Sequence, residues 1–153
     1  MRKTFGNLAD RVHLVTNNGA AWHVRGTETT TLRTIDPATL TELEQILVDV
    51  SPKDGIIAFS ADSMYRLNGY GELRADLQDY MTQVYGQIHM VDHLRDIPQP
   101  LASVTAIFDV VHSNEAIARI QATTLPLHPT TSGYGAVDIL AAGVNKATSL
   151  SAM

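Results

Sequence analysis

Leu40, Leu43, Ile46, Leu47 and Val50 recur at helical spacing, and after the turn Ser51-Pro52-Lys53-Asp54-Gly55 the pattern switches to the continuous apolar run Ile56-Ile57-Ala58-Phe59. An amphipathic helix that feeds straight into a fully apolar strand must bury both against one core, so the chain mixes helix and sheet. The helix is well signalled at its start. Asp36 is placed to cap it, and Pro37 sits at the first helical position, where a missing N–H costs nothing.

The remaining stretches extend this pattern. Val12 to Thr16 is a short apolar run stopped by Asn17-Asn18-Gly19, a strand followed by a tight turn, because Asn and Gly tolerate positive φ. Ala20 to Arg25 and Thr29 to Arg33 flank Gly26 and read as a Thr-rich hairpin. Ser63 to Leu67 suits a hairpin partner for the Ile56 strand. Leu73, Leu77, Tyr80, Met81 and Val84 mark a second helix. Residues 87–100 are mixed and end in Ile97-Pro98-Gln99-Pro100, which argues for a loop. Val104, Ala106, Phe108 and Val110 alternate with Ser103, Thr105, Ile107 and Asp109, a strand with one strongly apolar face. Ser113 is placed to cap a short helix carrying Ala116, Ile117 and Ile120. Leu125–Thr131 and Ala136–Leu140 read as strands around Ser132-Gly133-Tyr134-Gly135, and Asn145 onward reads as an opening helix. The order β, ββ, α, ββ, α, β, α, ββ, with its frequent hairpins, predicts an α+β fold with a small, mostly antiparallel sheet and helices packed on one face.

Composition narrows the functional classes. A net charge of −5, with Lys and Arg scattered, gives no basic patch for nucleic acid. No apolar run approaches the length of a membrane span, and no apolar stretch follows the basic N-terminus as in a secretory signal. The chain has no cysteine, which removes disulfides, thiolate metal sites and Cys nucleophiles and suits a cytoplasmic setting. His89 and His93 stand at i, i+4 beside Asp92, a spacing that on a helix would aim two imidazoles one way. With no third ligand at a suggestive spacing, they read as a surface pair, and no metal site is assigned. His13, His23, His112 and His128 are isolated. There is no Gly-x-Ser-x-Gly elbow, and the Ser132–Gly135 stretch lacks the Lys-Ser/Thr of a phosphate loop. Lys146, directly after Gly143-Val144-Asn145, can present an ammonium to an anionic ligand, or be an ordinary solvated lysine.

Thr16-Asn17-Asn18-Gly19-Ala20 resembles the junction at which Cof-type phosphatases of the haloacid dehalogenase (HAD) superfamily leave their core sheet for a mobile cap. Thr131 through Ala147, containing Ser132-Gly133-Tyr134-Gly135 and Gly143-Val144-Asn145-Lys146, resembles the return junction and is most similar to the sugar-phosphatase branch. The resemblance implies a C2B-type cap. Residues 1–19 would be a core remnant with the first junction, 20–135 the cap that sets substrate specificity, and 136–153 the return junction with the start of a core helix. It also implies that Lys146 positions the phosphate and the nucleophile, and that Asn18, Gly19 and Tyr134 are substrate-side residues. Asn18, Gly19 and Gly143 would be hinge positions.

The same resemblance implies Mg²⁺ and an aspartyl-phosphate in an intact parent acting on a small phosphorylated sugar. The Asp-x-Asp that would supply the nucleophile does not occur among the chain's eleven aspartates. The expectation is therefore a cap fragment that is inactive alone, binds no Mg²⁺ itself, has no nucleic-acid or membrane partner, and is open to weak self-association. A stand-alone, non-catalytic α/β module that binds a small molecule or another subunit is the alternative.

Overall fold

In the computed structural model, the structure describes residues 6, 11–25, 30–52, 55–60 and 63–152. Three short strands, β1 (Leu14–Thr16), β2 (Ala21–His23) and β3 (Thr30–Leu32), form one antiparallel sheet. The turn expected around Gly26 lies outside the described residues. The main body is a six-stranded sheet of β4 (Gly55–Phe59), β5 (Met64–Leu67), β6 (Ile88–Val91), β7 (Ser103–Ile107), β8 (Leu127–Gly133) and β9 (Ala136–Ala141), ordered β6-β5-β4-β7-β9-β8. Every pairing in it is antiparallel except β5 with β6. The α+β class expected from the sequence is the one observed.

Four α-helices accompany the sheets: α1 (Leu40–Val50), α2 (Ala75–Tyr85), α3 (Val110–Gln121) and the short α4 (Lys146–Ser151). Helix α1 begins as the sequence indicates. A 3₁₀ turn spans Pro37–Thr39, and the Asp36 carboxylate accepts from the Ala38 N–H at 2.9 Å. Leu40, Leu43 and Leu47 of α1 and Ala116 and Ile120 of α3 pack on Ile56, Ala58, Val104, Ala106, Val137 and Ile139 of the sheet, all buried. Strand alternation sends the intervening residues the other way. On that second face Ile57, Phe59 and Met64 meet Leu77, Met81 and Tyr85 of α2. So α1 and α3 share one face of the sheet, and α2 covers part of the opposite one, unlike the single helical face expected from the sequence.

Three local readings are corrected. Residues 87–100 contain β6 and a 3₁₀ turn at Leu94–Asp96 rather than a plain loop. The short strand is hard to see in sequence because only its ends, Ile88 and Val91, are partly buried. Helix α3 starts at Val110 instead of being capped by Ser113, whose hydroxyl donates back to the Val110 carbonyl at 2.7 Å inside the first turn. Residues 136–141, assigned to the return junction, form β9, an interior strand paired with both β7 and β8, so the chain leaves the sheet only after Ala141.

Candidate functional site

The turn after β1 and the segment after β9 meet in space. Asn17, Asn18 and Gly19 all have positive φ, at 49°, 52° and 106°. This left-handed run brings Gly19 so near the second segment that a Cβ there would lie 2.4 Å from the Asn145 carbonyl carbon and 2.9 Å from the Lys146 nitrogen. The Ser149 hydroxyl of α4 donates to the Gly19 carbonyl at 2.5 Å, and Ala20 packs with Ala102, Leu140 and Val144. Asn145 caps α4 reciprocally. Its side chain accepts from the Thr148 N–H at 2.9 Å, and its own N–H donates to the Thr148 hydroxyl at 3.0 Å. This fixes the backbone direction at Lys146, the first residue of the helix, whose side chain is exposed.

A carboxylate stands beside this junction. Asp138 on β9 is 9% exposed, and both its oxygens are engaged: Asn18 Nδ2 donates to one at 2.6 Å and Thr105 Oγ1 of β7 to the other at 2.6 Å. A buried carboxylate keeps its charge at tolerable cost only with such donors. The first of these bonds spans 120 residues of sequence and ties the turn after β1 to the sheet.

From here a groove runs along the sheet face that α1 and α3 leave uncovered. At one end Lys146, Asn145, Asn18, Asp138 and His128 line a cavity of about 520 Å³. It continues into a cleft of about 350 Å³ between Asn18, Asp138, Thr105 and Ser103 on one side and Leu77, Met81 and Tyr85 of α2 on the other. Ser132 borders both and also a third recess shared with Arg74 and Tyr134. Desolvation, and secondarily the neighbouring Tyr80, push the Tyr85 hydroxyl above its ordinary 10.0.

The structure thus brings together Lys146, Asn18 and Gly19. Tyr134 is fully exposed at the tip of the β8–β9 hairpin, where Gly135 meets the Phe108 backbone, and it lines the far recess. Of the histidines, His89 lies in β6 with its ring 5.4 Å from that of Tyr65. His93 Nδ1 is 2.8 Å from the Glu44 carboxylate, which also accepts the Leu94 N–H at 2.7 Å. The two are therefore not a pair on one helix face.

Sequence reasoning passed over Asp138, Ser103, Thr105 and Ser132. One signal was available: an aspartate in the otherwise apolar run Ala136-Val137-Asp138-Ile139-Leu140 must be partnered if that run is a buried strand. Among the described residues no three His, Asp or Glu side chains are grouped to hold a metal ion. None of the helices described is long and apolar enough to cross a membrane.

Among curated proteins, none matches the chain at a significant level. SMU.1108c from Streptococcus mutans is similar in fold, with a TM-score of 0.80 at 16% identity over 99% of this chain and 56% of that protein. A haloacid dehalogenase-like hydrolase from B. subtilis gives 0.73 at 12% identity, covering 99% of this chain and 60% of its own. The HAD subclass IIB sugar phosphatase BT4131 gives 0.68 at 13% identity, covering 96% and 54%. The chain therefore spans 54–60% of the length of these three proteins. The sequence profile of the haloacid dehalogenase-like hydrolases matches residues 1–153, and the chain belongs to that family.

Proposed function

We propose that this chain is the substrate-covering cap layer of a phosphatase that acts on small phosphorylated sugars, and that the carboxylates performing phosphoryl transfer are not among its residues. The two crossings, the turn at Asn18-Gly19 and the segment 142–145, are the junctions to a catalytic core, and the six-stranded sheet with α1, α2 and α3 is the body of the cap. The observation that carries the reading is the contact of Gly19 with Asn145 and Lys146, which places a lysine and an amide together at the mouth of the groove.

Each residue then has a task. Lys146 supplies a positive charge to the phosphate, and Asn18, held in place by Asp138, supplies its amide to polar atoms beside it. The uncovered sheet face offers the hydroxyls of Ser103, Thr105 and Ser132, and it roofs the site against water when it closes. The turn residues Asn18, Gly19 and Gly143, all at positive φ, are the places where that closing motion is absorbed.

Mg²⁺ belongs to the same proposal only through the core. The described residues do not fit it, because both Asp138 oxygens already accept hydrogen bonds and no carboxylate cluster accompanies them. Cytoplasmic residence and weak self-association through the exposed Tyr134, Val110 and Val111 are further parts of the reading.

The test is a titration of the ¹⁵N-labelled chain with inorganic phosphate and with glucose 6-phosphate. Amide shifts are expected at Asn18, Asp138 and Lys146, and Lys146→Ala should weaken binding roughly tenfold, the worth of one charge-assisted contact. Perturbations confined to other surfaces, with Lys146→Ala indifferent, would refute it.

A further inference from the structure

The groove changes character along its length. Around Asn18, Asp138, Thr105 and Ser103 it is polar, while its inner wall is Ile57, Phe59, Leu77, Met81, Tyr85 and Ile107. A ligand made only of hydroxyls would leave that wall unmatched and would strip hydroxyls of water without giving them partners. The wall also has a defined shape. The Phe59 and Tyr85 rings lie 5.4 Å apart at 44°, with the flexible thioether of Met81 in the same cluster. Tilted ring pairs and methionine sulfur both favour a further aromatic ring. At about 350 Å³ the cleft is large enough for a ring beside the polar positions.

We infer that the groove selects, among phosphorylated sugars, those that also carry an aromatic ring, with the ring seated against Phe59, Met81 and Tyr85 and the polar part at Asn18 and Lys146. The phosphate half of this statement rests on the function proposed above; the ring half does not. Helix α2 is then the specificity element, since it supplies Leu77, Met81 and Tyr85, one side of the cleft.

The experiment uses the purified chain and four probes followed by amide shifts: phenyl phosphate, glucose 6-phosphate, benzyl alcohol and glucose. Phenyl phosphate should bind roughly tenfold more tightly than glucose 6-phosphate, as burial of most of a ring face implies. Met81→Gln, a half-exposed helix position whose folding far-ultraviolet circular dichroism checks, should erase most of that preference. Equal or tighter binding of glucose 6-phosphate, or an unchanged preference in Met81→Gln, overturns the inference. If phosphate adds nothing to either ester, the function proposed above is what fails. The ring inference is then decided by the two alcohols: benzyl alcohol shifting Leu77, Met81 and Tyr85 where glucose does not upholds it, and the reverse rejects it.

Discussion

Asp138 and Gly19 do different work at the same junction, and substitutions separate the two. Asp138→Ala removes the acceptor for Asn18 and Thr105 at once and strands two partly buried donors, so a loss of about 2–3 kcal/mol is expected in urea unfolding. Asn18→Ala removes one of those bonds and should cost about 1 kcal/mol. The double variant should cost less than the sum of the two, because the pair shares one interaction. Gly19→Ala places a methyl against the backbone of Asn145 and Lys146, where no side chain can move aside. The expected loss is roughly 3 kcal/mol or more.

Gly143→Ala is the control for that argument. Gly143 also has positive φ, at 75°, yet nothing lies within 4 Å of its Cβ position, so only the backbone preference is lost, about 1 kcal/mol. Equal effects at the two glycines would show that close approach of the crossings is not what constrains Gly19.

Among the elements, α2 is the least anchored of the long helices. It has no fully buried residue, whereas α1 buries Leu40, Leu43, Glu44, Leu47 and Val50. Hydrogen exchange should therefore find α2 amides exchanging well before those of α1. Tyr85, at its C-terminal end, reports on the same packing. Burial favours its neutral form in the folded state, so its titration should lie above 10.0. Folded stability should be insensitive to this group below about pH 10 and fall as pH rises from there through the folded value, because the unfolded chain releases the proton first. A Tyr85 midpoint at the ordinary value would mean that the α2 wall is open to water.

The elements also show what could be read from sequence. Helix α1 and strand β4 were legible because cap, proline, stripe and apolar run all agreed. The hairpin β8–β9 was legible from Ser132-Gly133-Tyr134-Gly135 between two strand-like runs. Strand β6 was not legible, since an edge strand with His89 and Met90 exposed carries neither alternation nor an apolar run. The resemblance singled out Asn18, Gly19 and Lys146, which the fold brings close together. Asp138 and the hydroxyls facing it were not, because which strand face stays uncovered depends on where α2 packs, and its apolar stripe does not state which face of the sheet it meets. Tyr134, which the resemblance put on the substrate side, stands at the rim of a separate recess. Its position between two glycines reflects a tight hairpin, with φ of 54° at the tyrosine itself.

At the scale of the whole molecule, the turn after β1 and the segment after β9 lie side by side, one face of the sheet is packed by α1 and α3, and the other carries a groove that begins at Lys146. On the function proposed above, such a layer covers chemistry supplied from elsewhere, and no Asp-x-Asp occurs in this sequence. The most direct measurement is phosphate release from a panel of sugar and aryl phosphate esters by the purified chain with Mg²⁺ present. The account predicts no release above the buffer blank, even at ester concentrations that saturate the amide shifts. Metal-dependent release at an enzyme-like rate would contradict it.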